Sequence, residues 1–418
     1  MRRPAATLAV AVLGLFGLGA GPPLPGPASA HLPTTAAVAS ATYAAVPSAI
    51  AAVPSAPHAA VAAVPAVASP AALAAVAATP AGAATSAPPP GAAPTALPTG
   101  GSCLPVRRAD LVKLIAAQPL AKGDGDGKFV SVSRGSPRWL AGFNLALAWE
   151  NDDCPALADF AAQMGYTATE IIAEPTGEHH YVLLDKAGRH NGLVVLRAPA
   201  ERAAARQLTI TAPHVGFDFR DDRAIRLYRQ VKAVAYLQNT AERCSSPVCS
   251  GCTATPAYAC GGCPRASDAA HSVDHLLLAV YAGLEAVRKD LRFEYHGAAR
   301  SAGPPGCRGS AHLSQGSTLT LSPAQDDGSY PSRFWKALEQ RLGPQCVCYH
   351  QRERGCLLPG TASVFGRLTN EEPTTPFDPC GQPAVRLSGR FLHLEGAQLP
   401  VEAITAALSA AVPLTGPG

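Results

Sequence analysis

His214 and Asp218 stand four residues apart in the stretch Arg206–Asp218, RQLTITAPHVGFD. Imidazole and carboxylate are ordinary zinc ligands. The residues before them predict a buried strand, with Leu208 and Ile210 alternating with the β-branched Thr209 and Thr211. Pro213 cannot donate to a ladder, so the strand stops there. The pair therefore falls in a loop at the carboxyl end of a strand, where open α/β sheets place their ligands. Alone, it also reads as a loop histidine and a helix-capping aspartate. Two later strand ends add to it. In Leu291–His296 the alternation puts Arg292, Glu294 and His296 on one face, opposite Leu291, Phe293 and Tyr295. In Arg390–Glu395, His393 and Glu395 share a face.

Residues on one rim of a parallel sheet converge although far apart in sequence. His214, Asp218 and His296 would give zinc two imidazoles and one carboxylate, leaving the fourth position open. Zinc lowers the pKa of a bound water toward ~7 and polarises a carbonyl oxygen. A further carboxylate must take the water's proton and deliver it to the leaving nitrogen, and Glu395 is the candidate. This chemistry cleaves amides without a covalent intermediate. In SDAAHSVDH, 267–275, His271 and His275 are four apart and would share a helix face. Position 272 is serine, so the zinc-protease HExxH is absent. Asp268 and His271 read as a loop at the pocket; the plain alternative is a Ser272 helix cap with two surface histidines. Arg292, Arg386 and Arg390 could fork onto a substrate carboxylate, or stay solvated. HLSQG, 312–316, lacks the first glycine of GxSxG, and neither a dinucleotide fingerprint nor a phosphate loop is present.

The phrases TAPHVGFD, SDAAHSVD, FEYHG and GRFLHLE resemble, in their order, the zinc carboxypeptidase-like hydrolases. In texture they are similar to N-formylglutamate amidohydrolases and phage-type poly-γ-glutamate hydrolases. The resemblance spans about 206–411 by order of motifs. It implies a three-layer α/β/α phosphorylase/hydrolase-like fold with a mostly parallel sheet. It also implies a zinc-dependent hydrolase holding one ion through His214, Asp218 and His296, with Glu395 as general base. Those carboxypeptidases use HxxE, whereas this chain has HxxxD with a shorter acid.

The elements that must hold these residues follow from periodicity. Helices are expected over 109–117, 155–164, from Asp221 or Asp222 to about 231, 272–289, 331–342 and 401–411. Strands are expected over 169–173, 181–185, 192–197, 233–237 and 318–322 besides those above. Strand–helix–strand order argues a parallel sheet. GDGDGK, 123–128, lacks the closing acid of a calcium loop and reads as a turn. Segment 344–388, rich in Cys, Gly and Pro, should be disulfide-tied loop.

Residues 1–30 read as a secretory signal: Arg2 and Arg3, an apolar run at Leu8–Leu18, and Ala28-Ser29-Ala30 as the cleavage site. A retained N-terminal anchor is the alternative. Residues 31–101 are an Ala/Pro-rich spacer with AAVP repeated at 44–47, 51–54 and 62–65, which should stay disordered. It could carry the folded part through a cell wall. The rest divides into an N-terminal part, 102–205, and the catalytic part, 206–418. All twelve cysteines lie after the spacer, and an even count in an exported chain reads as disulfides. Cys244, Cys249, Cys252, Cys260 and Cys263 are the densest set; their two CxxC pairs leave a structural zinc site as the alternative. A net charge of +4, scattered, argues for neither nucleic acid nor a membrane surface, and no span remains after signal removal. The reading is an exported zinc amidohydrolase or carboxypeptidase-like peptidase acting on an acyl-amino acid or a peptide. Its alternative is a non-catalytic, disulfide-stapled envelope protein on the same fold.

Overall fold

The computed structural model describes residues 102–120, 129–216, 218, 222–252, 260, 262–297, 307, 310–321, 328–352, 356, 360–371, 378–396 and 399–414. The signal, the spacer, Asp221 and the GDGDGK turn lie outside them. Ten strands form one sheet: β1 (Val106–Ala109), β2 (Tyr166–Ala173), β3 (His179–Asp185), β4 (Leu193–Arg197), β5 (Arg206–Ala212), β6 (Ala233–Gln238), β7 (Leu291–His296), β8 (Ala311–Ser314), β9 (Val347–Tyr349) and β10 (Phe391–Glu395). Their order is β1-β2-β3-β4-β6-β5-β7-β10-β8-β9. The central run β6-β5-β7-β10 is parallel throughout. The pairs β1–β2 and β8–β9 are also parallel, while β2–β3, β3–β4, β4–β6 and β10–β8 are antiparallel. The boundary expected at 205/206 falls between strands of this single sheet.

The helices are α1 (Leu111–Ala116), α2 (Pro137–Glu150), α3 (Cys154–Met164), α4 (Pro199–Arg202), α5 (Arg223–Gln230), α6 (Leu276–Val287), α7 (Tyr330–Leu342), α8 (Val364–Asn370) and α9 (Val401–Ala411). Their starts follow local chemistry. Asp110, Ser136, Asp153, Ser329 and Ser363 each accept a first-turn backbone N–H, which satisfies a donor the helix cannot. Asp222 precedes α5 without such a bond; its carboxylate takes Arg226 instead.

Among the described residues, buried apolar side chains collect in two large clusters and a small third one of Phe129, Ala241 and Ala266. Of the large two, one holds α1, α5, α7 and α9, the other α2, α3, α6 and α8. Strand β4 divides residue by residue: Leu193 and Val195 go to the first, Val194 and Leu196 to the second. That is the period of two working on a sheet covered on both faces. Over β5, β7 and β10 the first cluster takes Leu208, Ile210, Leu291, Phe293, Tyr295, Leu392 and Leu394. Their neighbours in sequence, Thr209, Thr211, Arg292, Glu294, His296, His393 and Glu395, are buried and polar. The candidate chemistry therefore fills space that would otherwise hold core.

Several elements differ from expectation, β1 and α4 among those the sequence did not announce. The strand expected at 318–322 is absent among its described residues, and the strand in that region is β8, within the AHLS run. Segment 344–388 carries β9 and α8 rather than loop alone. Helix α2, with its small residues Ala141, Gly142, Ala146 and Ala148, has no sharp apolar stripe to reveal it. All twelve cysteines are paired: Cys103–Cys154, Cys244–Cys260, Cys249–Cys263, Cys252–Cys380, Cys307–Cys346 and Cys348–Cys356. Neither CxxC closes on itself, and no thiolate remains for the alternative zinc site. Among the described residues no helix is long and apolar enough to cross a membrane.

Candidate metal centre

Strand β5 ends at Ala212, and the chain turns at once. Asp218 N–H donates to the His214 carbonyl at 2.9 Å, which brings Asp218 back beside His214. Gly216 makes the turn with φ +94°, and a Cβ there would meet Leu120 Cδ1 at 2.9 Å. Only glycine fits both demands. The register of the parallel strands then assembles the rest. Glu294 lies opposite Thr211 on one side and His393 on the other, and His296 lies opposite Glu395.

From the 3₁₀ turn Ala269–His271 come two further residues, His271 and the Asp268 that precedes it. Asn239 donates to the Ser267 carbonyl and Ser267 to the Arg243 carbonyl, so the end of β6 holds that turn in place.

The side chains form an alternating chain of carboxylates and imidazoles. Arg243 Nη2 donates to Asp268 Oδ2 at 3.0 Å. Asp268 Oδ1 lies 2.7 Å from His214 Nε2 and 3.0 Å from His271 Nδ1. His214 Nδ1 faces Asp218 Oδ2 at 3.6 Å, and the same oxygen lies 3.0 Å from His296 Nδ1. His296 Nε2 meets Glu294 Oε1 at 2.7 Å, and that oxygen is 3.2 Å from His393 Nδ1. His393 Nε2 reaches Glu395 Oε1 at 3.3 Å. Ser363 Oγ donates to Glu294 Oε2 at 2.6 Å. Asp268 and Glu294 are 1% exposed.

Electrostatics follow from this arrangement. Burial alone would raise the carboxyls of Asp218, Asp268 and Glu294, but their imidazole partners outweigh it and hold all three well below the usual range. Burial would lower the histidines; instead the Glu395 charge and the Asp218 and Glu294 hydrogen bonds hold His296 well above its ordinary value. Glu294 and Glu395 likewise raise His393. Four buried carboxylates with one arginine on them leave negative charge that only protonated imidazole or a cation can balance.

Among the described residues three groups of donors lie close enough to hold an ion: His214/Asp218/His296, His214/Asp268/His271 and Glu294/His296/His393. Magnitudes separate them. Zinc bonds of ~2.0–2.2 Å in a tetrahedron place neighbouring ligand atoms about 3.3–3.6 Å apart. Of the Asp218 contacts the 3.6 Å one matches that spacing, while the 3.0 Å one is also a hydrogen-bond length. The Asp268–His214 and Glu294–His296 contacts, both 2.7 Å, are hydrogen-bond lengths. The first group thus fits an ion, with a buried carboxylate behind each imidazole to fix its tautomer and ring orientation.

Of the residues singled out in the sequence, His214, Asp218, His296, Asp268, His271 and Glu395 come together. Arg292 and Arg390 do not. Arg292 is fully buried and binds Glu285, Thr209 and the Arg288 carbonyl; Arg390 also binds Glu285. Arg292 lies early in β7 and Arg390 just before β10, both away from the rim. Arg386 is exposed. His275 parts from His271: its Nδ1 caps α6 and its Nε2 meets Asn239. Burial pushes it down to about 3, which keeps it neutral.

Glu294, His393, Arg243 and Ser363 are members that sequence reasoning missed. The alternation of β7 and β10 had placed Glu294 and His393 on polar faces, but only register makes them neighbours. Comparison with protein-family models, with curated proteins and with solved structures finds no match to this chain.

Proposed function

We propose that this protein is an exported zinc-dependent hydrolase of amide bonds, acting on an acyl-amino acid or a peptide, with cell-wall peptide among the candidates. The reading includes a three-layer α/β/α arrangement of the zinc carboxypeptidase-like kind. One observation carries it: His214 and His296 each turn one nitrogen toward Asp218 and give the other to a buried carboxylate. Bound there, zinc would supply Lewis-acid polarisation of the scissile carbonyl and acidify water. The chain supplies the rest. Asp268 and Glu294 hold the two ligand imidazoles in orientation. Glu395, opposite His296 at the sheet rim, takes the proton of the attacking water and delivers it to the leaving nitrogen. His393, between Glu294 and Glu395, fixes that carboxylate. The six disulfides fit an oxidising destination.

The test is metal analysis of protein produced in an oxidising compartment, followed by a panel of N-acyl-amino acids and peptides. One zinc per chain and amide hydrolysis are expected. His296→Ala should lose metal and activity together. Glu395→Gln should keep the metal and lose turnover, because an amide cannot accept the proton. A chain that takes up no zinc from a metal-buffered solution would leave the disulfide-stapled envelope protein as the better account.

A further inference from the structure

The four imidazoles of the cluster are not equivalent. His214, His296 and His393 each have both ring nitrogens facing carboxylates. His271 has one: Nδ1 is buried at ion-pair distance, 3.0 Å, from Asp268 Oδ1 but outside hydrogen-bond geometry, and among the described residues Nε2 takes part in no hydrogen bond. Its side chain is 18% exposed, against 3–5% for the other three. Its ring lies nearly parallel to that of His214, centroids 6.2 Å apart. The other oxygen of Asp268 takes Arg243. Beside the candidate metal ligands thus stands a partly exposed imidazole whose inner nitrogen faces a carboxylate and whose outer nitrogen takes part in no hydrogen bond among the described residues.

From this geometry we infer that His271 Nε2 is an oxyanion-binding position, which contacts the substrate oxygen that gains charge during hydrolysis. The inference rests on the hydrolase reading. Water oxygen bonds to the amide carbon, and the carbonyl electron pair moves onto oxygen. Nε2–H donates to that oxygen, with the Asp268 carboxylate behind the ring 3.0 Å from Nδ1. The oxygen then re-forms the carbonyl, the C–N bond breaks, and the nitrogen leaves with the proton that Glu395 took from water. Atoms balance as amide plus water giving acid plus amine. A donor aimed at a developing oxyanion is worth about 10²–10³ in turnover. The ligand class is a tetrahedral oxyanion.

Inorganic phosphate is the probe, titrated calorimetrically into the zinc-loaded full chain. Wild type should bind one phosphate. His271→Phe should keep its zinc and bind phosphate at least tenfold more weakly. His271→Gln, whose amide still donates, should fall between the two. Once a substrate is in hand, His271→Phe should lose 10²–10³ in kcat with KM nearly unchanged. Zinc-loaded wild type that ignores phosphate, or a His271→Phe chain that binds it as wild type does, overturns this role and leaves the hydrolase reading standing. A wild type that takes up no zinc overturns both.

Discussion

Asp218 is one carboxylate between two imidazoles, and its neighbours explain why it can stay ionised while buried. In the metal-free chain His296 donates to Asp218 and Glu294 together, so it holds a proton at pH values where an ordinary histidine has lost it. A metal must displace that proton. Zinc affinity should therefore rise with pH through the neutral range, and calorimetry in buffers of different ionisation enthalpy should show proton release on binding. Stability carries the opposite sign. The depressed carboxyls of Asp218, Asp268 and Glu294 stabilise the fold above their unfolded values of 3.8–4.5 and lose that contribution as pH falls through the folded ones. The raised His296 and His393 stabilise it below 6.5 and lose that contribution as pH rises through their folded values. Metal-free protein should thus melt highest between about pH 4.5 and 6.5. Zinc should move the maximum upward, as differential scanning would read. Glu294→Gln removes the charge behind His296 while keeping its size. Metal affinity should drop about 10–100-fold, measurable by competition with a chelator.

At the scale of elements, the turn after β5 is the narrow point. Gly216→Ala places a side chain at φ +94° and against Leu120. The expected cost is about 1–2 kcal/mol from the left-handed backbone alone. His214 and Asp218 should move with it, so urea midpoint and zinc content should fall together. Unchanged zinc content in a destabilised variant would separate turn from site. The same turn shows what a sequence discloses. Pro213, His214 and Gly216 announce a strand end and a loop that returns, because their constraints are local. Strands β7 and β10 announce their polar faces by period two. What no local signal carries is register: that Glu294 meets His393 rather than its neighbour depends on how two strands nearly a hundred residues apart pair. Arg292 and Arg390 looked available for the same reason, since their partner Glu285 lies on α6. Strand β8 was hidden because AHLS is short and half polar, and α2 because small residues pack closely without an apolar stripe. At Gly142 a Cβ would already meet Ala279 Cβ at 2.9 Å.

At the scale of the whole molecule, two large hydrophobic clusters share out the alternating residues of a sheet whose central strands are buried, and disulfides add covalent ties, Cys252–Cys380 within the second cluster among them. Cys252–Cys380 joins positions 128 residues apart and fastens the cysteine-rich segment to the stretch before β10. Removing it as the double Ala variant should cost up to about 5 kcal/mol, since closing a long loop in the unfolded chain is what such a bridge stabilises against. Thermal melting would read it, and a melting temperature within a degree of wild type would mean the bridge is idle. The bridges Cys244–Cys260 and Cys249–Cys263 have a different bearing. They lie on the excursion between β6 and α6 that begins beside Arg243 and ends just before Asp268 and His271. A nascent chain with free thiols has the strand-borne half of the cluster but no brace on the other half. On the proposed reading the ligand set lies outside that excursion, and oxidation would complete only the brace that Asp268 gives His214. On that reading the site would gain its outer support only in an oxidising compartment.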